Sequence, residues 1–416
     1  MGDLSVTKKG LRVLTVPSSN RLKPLTLGLW FPVGSRDDQR PGTAHLAEHL
    51  SFKGSPGLSA DQLVATAEDN GIALNAYTSR ESTAFYAHTT RPNLPKAAEL
   101  LASMVFRSSA SRHALHREKG VVLRELKEVE KSHEEFLLDR LHERAFPGSQ
   151  FGKPVLGSPE DILSLTEQDV QRHRKLLRRS QGLFAVSGPV TAHEVRLLAE
   201  KVFDPLLLQA PPASRPPPQF HSGVYELPPV TSLGEAACYP RSAALAFPCS
   251  SSATAVILSR LLCSSAPYVR VALSGNNEHA VLCVLLSEAR PPPALSPHHR
   301  GVRPLATPSG NLRFSSAWSD LLTPDLSNEA VESTKEAMLA ELDMPPVEAL
   351  AQHIVNFGPL DDFNTRLKLT TASDVQALWR SILRSQEVCL VSTGFAPPSL
   401  TKLQDEMLDQ ASKCSV

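Results

Sequence analysis

His45, Glu48 and His49, in the order His-x-x-Glu-His, are the residues of this chain best suited to chemistry. On an α-helix, positions four apart leave the same face, so the two imidazoles stand side by side with Glu48 next to them. Two imidazoles and one more ligand can hold a zinc ion with a corner left for water, and a neighbouring carboxylate can take that water's proton. The surrounding stretch 42–52 is otherwise short and apolar, as expected of a helix packed on a core. Histidine pairs at this spacing also arise by chance on solvated helices, so a third ligand has to come from elsewhere. Residues 113–145 read as one long, highly charged helix that offers Glu118, Glu125, Glu128 and Glu130. Glu118 and Glu125 are seven apart and share nearly one face, and spacing does not choose between them.

The elements that must position these groups follow the hydrophobic pattern. Leu11 to Val16 and Leu25 to Phe31 are β-rich runs ahead of the histidine stretch. Ser59-Ala60-Asp61-Gln62 is a capping box that opens a helix ending near Asn70-Gly71. Ile72 to Thr78 and Thr83 to His88 read as strands, and Leu94 to Phe106 repeats apolar residues at helical spacing. Residues 206–229 are rich in proline and read as an extended linker between a domain over 1–205 and another over 230–416. Beyond the linker, Ala243 to Phe247, Tyr268 to Leu273 and Ala280 to Leu286 read as strands. Ala253 to Cys263, Glu329 to Leu342 and Val347 to Asn356 read as helices, and the proline-rich stretch 291–308 as an exposed loop. Thr166-x-x-Asp169-Val170 ahead of a strand ending Val186-Ser187 recurs as Thr371-x-x-Asp374-Val375 ahead of Val391-Ser392, which indicates a duplicated half-chain unit. The second copy has no histidine around Ser250 to Thr254, so only the first half can do this metal chemistry.

A length of 416 residues suits two domains. Lysine plus arginine equals aspartate plus glutamate at 43 each, so charge points to no nucleic-acid partner. The six cysteines lie in the second half without close pairing and read as reduced thiols. No apolar run reaches the length of a membrane span, and a strand-like segment begins too early for a long signal or transit peptide to be visible.

The sequence resembles the pitrilysin-type (inverzincin) zinc metallopeptidases, most closely their mitochondrial processing peptidase β-subunit branch. The matching residues are Gly42 to His49 with Phe52-Lys53-Gly54, Leu74 to Glu81, Leu123-Arg124-Glu125 with Glu128-Val129, and Leu156-Gly157. The resemblance implies an α+β fold of two duplicated domains, each an antiparallel or mixed sheet with helices on one side, facing each other as a clam shell. It implies one Zn2+ per chain held by His45, His49 and Glu125, with Glu48 as general base and Glu118 as an accessory glutamate supporting the site. It matches Phe52 to a pocket for the side chain just after the cut, although that residue also suits a core. Glu135 and Asp139 match an acidic pair that holds an arginine two residues before the cut, and their spacing lets both face one guanidinium. Leu74 to Thr78 matches the edge strand along which substrate lies, with backbone contacts from Asn75 and Ala76.

The activity so implied is endoproteolytic removal of N-terminal presequences in the matrix of a mitochondrion or a related organelle. The partner so implied is a noncatalytic α subunit or a second copy of the chain. A general oligopeptide-degrading peptidase and a noncatalytic respiratory-complex subunit share the fold, and the complete His45, Glu48, His49 and Glu125 set argues against the latter. The second half departs from the family where a strand is expected, at Phe314-Ser315-Ser316-Ala317-Trp318.

Overall fold

A computed structural model describes residues 2–18, 24–108, 111–208, 215–227, 242–250, 252–265, 269–276, 279–287, 314–343, 347–357, 360–393 and 396–413. The first stretch of chain runs β1 (Asp3–Val6), β2 (Arg12–Pro17), β3 (Leu25–Phe31), α1 (Thr43–Ser51), a small ribbon of β4 (Gly54–Ser55) and β5 (Leu58–Ser59), and α2 (Ala60–Asp69). It continues through β6 (Ala73–Thr78), β7 (Thr83–Thr89), α3 (Leu94–Ala102), α4 (Arg112–Lys131), α5 (His133–Ala145), α6 (Pro159–Ser164), α7 (Glu167–Arg179), β8 (Leu183–Gly188) and α8 (Ala192–Val202). Then come β9 (Gly223–Glu226), β10 (Ser242–Cys249), α9 (Ala253–Ser265), β11 (Val269–Gly275), β12 (Ala280–Ser287), α10 (Phe314–Leu322) and α11 (Asn328–Asp343). The chain ends with α12 (Val347–Phe357), α13 (Leu360–Leu369), α14 (Ala372–Ser385), β13 (Cys389–Thr393) and α15 (Leu400–Lys413).

The chain forms two units, and each draws on both halves of the sequence. The first comprises Met1–Lys127, Lys153–Pro216 and Asp343–Gly358; the second comprises Glu128–Gly152, Pro217–Leu342 and Pro359–Val416. The first sheet has the order β1-β2-β8-β3-β7-β6 and the second β11-β12-β10-β13-β9. Read from β2 and from β9, each the first of a parallel pair, the two orders coincide over five strands, with β1 as the first sheet's additional edge strand. Every other pairing in both sheets is antiparallel. The duplication inferred from the two Thr-x-x-Asp signatures is therefore a duplication of topology. Both signatures are capping boxes, in which Thr166 and Thr371 accept the N–H of Asp169 and Asp374.

Each unit has helices packed on one face of its sheet and one further helix on its sheet that comes from the other half of the chain. In the second unit, Leu245 and Phe247 of β10 belong to the core shared with α9, α14 and α15. The alternate residues Ala244 and Ala246 face a second core built with Leu137, Leu141 and Ala145 of α5. That is the period-two alternation of a strand, and a sheet buried on both faces explains the unbroken apolar runs of β10 and β12. In the first unit, α12 packs on β3 and β8, and Arg12 reaches the Ile354 carbonyl.

Two expectations need correction, and the departure from the family at Phe314 takes a definite form. The charged stretch 113–145 is two helices, because Ser132 adopts an extended backbone between them. The break lets α4 bury Val122 and Leu126 beside α1 in the first unit while α5 buries its own stripe in the second. Phe314 to Trp318 begins a helix, α10, whose Ala317 and Trp318 are core residues. Within the proline-rich stretch 206–229, Gly223–Glu226 is a strand, β9. The loop read over 291–308 lies outside the described residues.

Candidate metal centre

α1 is held at both ends. Its first turn is entered through Gly42 at φ 82, where a Cβ would stand 2.4 Å from the Leu156 carbonyl oxygen, so the Pro41–Gly42 and Leu156–Gly157 loops meet only as glycines. The buried Asp38 carboxylate accepts the Ala44 N–H through both oxygens and lies beside His173 of α7. An anion there satisfies an orphan donor and opposes the positive end of the helix. Burial raises the Asp38 pKa, and His173 and the Ala44 N–H pull it back. At the other end, Ser108 donates to the Leu50 carbonyl, and the buried Arg174 of α7 donates to both the Ser108 carbonyl and its hydroxyl. Leu46, Ala47 and Leu50 pack with Val122 and Leu126 of α4, Ile162, Leu165 and Val170. Packing on Val122 and Leu126 turns Glu118 and Glu125, which share that stripe of α4, toward α1.

The two imidazoles lie with ring centroids 4.7 Å apart, His45 buried and His49 partly exposed. His45 Nε2 stands 3.6 Å from Glu125 Oε1, and His49 Nε2 stands 3.3 Å from Glu125 Oε2. One ligand atom from each of the three residues falls within 4.8 Å of the others. Ligands bonded at 2.0–2.1 Å around a tetrahedral centre sit about 3.3 Å from one another. The separations observed match that spacing and exceed those of good hydrogen bonds. Two neutral-capable nitrogens and one carboxylate are also the donor types of a catalytic zinc site, so the residues present fit the ion. The polar N–H groups of His45 and then His49, facing the Glu125 carboxyl, hold it far below the ordinary glutamate range. For His49, burial pulls the pKa down, and Glu125, Glu48 and Glu118 together outweigh it, so the net shift is upward.

The remaining candidates occupy distinct places. Glu118 is almost fully buried, 3.4 Å from His49 Nδ1 and 3.1 Å from Lys53 Nζ, so it orients the imidazole from the side away from Glu125. Glu48 is partly buried on α1, and its Oε2 accepts the Thr78 hydroxyl at 2.5 Å. Glu128 pairs with Lys131 at the surface, and Glu130 is exposed. Phe52, at the end of α1, packs against the first unit's core. Asn75 and Ala76 lie on β6, an edge strand; the Asn75 side chain accepts the Ala76 N–H and donates to Tyr86. Glu135 and Asp139 lie one turn apart on α5, both partly buried, in the second unit.

Sequence reasoning missed Asp38, His173, Thr78 and Arg215. The last is in the proline-rich stretch, yet its guanidinium binds Asp37, Glu81 and the Pro32 carbonyl of the first unit. His173, Thr78 and Arg215 meet their partners across long sequence separations, and Asp38 joins the Ala44 N–H six positions on to the distant His173.

The family model for insulinase (peptidase family M16) matches residues 14–159. The chain is 36% identical over 213 residues to a mitochondrial-processing peptidase subunit beta of Lentinula edodes, covering 50% of this chain and 46% of that protein. It is 40% identical over 165 residues to the human subunit beta, covering 39% of this chain and 33% of that one. The matched region thus spans less than half the length of these relatives. A crystal structure of a protease from Helicobacter pylori has the same fold, with a TM-score of 0.75 and 18% identity over 95% of this chain and all of that one. The inactive M16 peptidase domain of Pseudomonas fluorescens matches at a TM-score of 0.72 and 15% identity, over 96% of this chain and 99% of that chain. Over its first half, the chain is thus similar in sequence to peptidase family M16 and to mitochondrial-processing peptidase β subunits.

Proposed function

We propose that the chain is a zinc metalloendopeptidase that removes N-terminal presequences. One observation carries the reading: His45, His49 and Glu125 converge at ligand spacing, with Glu48 beside them on the same helix. Zinc held there would supply Lewis-acid polarisation of the scissile carbonyl and make water more acidic. Glu48 accepts the proton of the attacking water and delivers it to the leaving amine. Glu118, neutralised by Lys53, keeps His49 oriented. The backbone of β6 lines up an extended peptide once the Asn75 side chain releases the Ala76 N–H. Phe52 contacts the side chain after the cut, and Glu135 with Asp139 receives an arginine two residues before it.

This reading puts the activity in a mitochondrial matrix, beside an α subunit or a second copy of the chain, and the likeness to mitochondrial-processing peptidase β subunits supports it. The test is cleavage of a presequence peptide by the purified chain, alone and with a candidate partner, with and without chelator. Glu48→Gln is expected to lower kcat by about 100-fold or more with zinc retained. Replacing the arginine two before the cut is expected to raise KM; indifference to that change points to general peptide degradation instead. Cleavage by Glu48→Gln at the wild-type rate removes the mechanism.

A further inference from the structure

Thr78 is the last residue of β6 and is 5% exposed. A threonine at the end of an edge strand has no need of so deep a position unless its hydroxyl has a partner there, and the partner is Glu48. The bond ties the last residue of a strand to the middle of a helix thirty positions earlier, and both ends are built from one scaffold. Thr78 leads into a turn closed by Ser79 and Ser82, whose hydroxyls stand 3.0 Å apart and whose backbones bond at 2.8 Å. That turn is docked on the segment before α1: Ser35 and Arg36 donate their N–H groups to the Ser79 and Arg80 carbonyls at 3.0 and 3.1 Å, and Thr83 donates to the Val33 carbonyl at 2.8 Å. Gly34 permits the approach, because a Cβ there would lie 2.5 Å from both the Ser79 and Arg80 carbonyl oxygens. Arg36 pairs with Glu81 at 2.8 Å with both side chains buried, and Arg215 closes the cluster onto Asp37 and Glu81. Two residues further on, Asp38 holds the first turn of α1. The acceptor and the donor are thus set by the same short stretch, 33–38.

We propose that Thr78 is a positioning residue for Glu48. Its hydroxyl donates to Oε2 and so fixes the carboxylate plane, leaving Oε1 as the oxygen that takes the proton from water. A free carboxylate on a helix surface would rotate about its last torsion, which is broad and nearly unrestrained. Holding it aligned removes that freedom before the reaction begins. The hydroxyl also remains useful after transfer: with the proton on Oε1, Oε2 is still an acceptor for the same O–H, so nothing has to rearrange before the proton passes to the leaving amine. The inference rests on the reading of Glu48 as the base.

The experiment uses the zinc-loaded full-length chain with Thr78→Val, which keeps the shape and removes the hydroxyl, and Thr78→Ser, which restores it. Infrared difference spectra first assign the Glu48 carboxylate band as the one absent in Glu48→Gln. That band is expected to shift in Thr78→Val and to return in Thr78→Ser, with bound zinc unchanged; an unmoved band overturns the proposal whether or not the chain cleaves peptide unaided. With a fluorogenic presequence peptide, Thr78→Val is expected to lose about 10- to 100-fold in kcat at similar KM, and Thr78→Ser to recover most of it. A wild-type kcat in Thr78→Val, or a loss confined to KM, also overturns it. A wild-type rate in Glu48→Gln sinks the base reading by itself, and the infrared arm still reports on the Thr78 bond.

Discussion

Asp38 receives the Ala44 N–H through both carboxylate oxygens, at 3.0 and 3.1 Å, while His173 Nδ1 stands 3.4 Å from the same carboxylate. Ala44 is the residue before the first imidazole, so this contact fixes where His45 begins its turn. Asp38→Ala leaves the Ala44 N–H buried and unpaired and is expected to cost about 1–3 kcal/mol in urea unfolding. It is also expected to weaken zinc binding in a competitive chelator titration, by about tenfold, the scale of a lost supporting contact. Val195→Ala in α8, a core truncation of similar cost elsewhere in the first unit, is expected to leave zinc affinity unchanged.

The ligand set predicts its own thermodynamics. Zinc at about a thousandfold above its dissociation constant is expected to stabilise the chain by about 4 kcal/mol, seen as a rise in Tm that chelator reverses. His49→Ala and Glu125→Ala are expected to lose both the bound metal, by elemental analysis, and the rise in Tm. Glu118→Gln is expected to keep the metal and hold it more weakly, since its contact is with His49 Nδ1 and Lys53.

Arg215 sits among two carboxylates and a carbonyl, 17% exposed. Burial already raises the pKa of Asp37 despite the guanidinium beside it. Arg215→Met is expected to destabilise by about 2–4 kcal/mol, because it strands the Asp37 carboxylate, while Glu81 keeps Arg36, rather than because the pair is intrinsically strong. Adding Asp37→Asn to that variant is expected to recover part of the loss, and a double-mutant cycle measures the coupling. Strictly additive costs would show that Arg215 merely packs there.

His353 on α12 gives stability a pH dependence. Burial pushes its imidazole down to about 4, so the folded chain holds it neutral. The unfolded chain takes up a proton near the ordinary histidine value of about 6.5, so this contribution is complete above that pH. It is lost as pH falls from about 6.5 to about 4, at up to about 1.4 kcal/mol per unit. Urea midpoints between about pH 7 and pH 5 are expected to fall less steeply in His353→Leu. An equal slope in the variant assigns the acid sensitivity to other groups.

The exchanged helix predicts how the chain can be cut. A fragment of residues 1–216 lacks α12, and its β3 and β8 lose the helix that covers them. Such a fragment is expected to bind a hydrophobic dye and to aggregate, and a peptide spanning 343–358 added in trans is expected to suppress both. A monomeric fragment with no dye binding would show that α12 is dispensable.

What could be read from the sequence was what is local. Leu25 to Phe31 is the strand the pattern marks out, and Ser59 caps the helix its capping box announces, because alternation and caps are decided within a few residues. His45, Glu48 and His49 share a helix for the same reason. The break at Ser132 left no mark: no proline or glycine interrupts Lys131-Ser132-His133, and only the separate destinations of Val122 and Leu137 demand it. Spacing alone left the choice among the glutamates open, and only the family resemblance pointed to Glu125. Glu118 and Glu125 lie on one stripe, and three-dimensional packing decides that Glu125 meets both imidazoles while Glu118 stops at His49 and Lys53. Asp38, Thr78 and Arg215 are ordinary polar residues until the fold brings their partners to them.

The helix that completes the first sheet is encoded near residue 350, long after the last strand of that sheet at Leu183–Gly188. On the ribosome, the half that carries the histidine helix therefore emerges with one flank of its sheet bare and must wait through most of the remaining synthesis for its cover. Birth order and final architecture are at odds here. A nascent chain caught in that interval is the form in greatest need of a chaperone, and a stop codon anywhere before α12 should silence the first half as surely as a lesion within it.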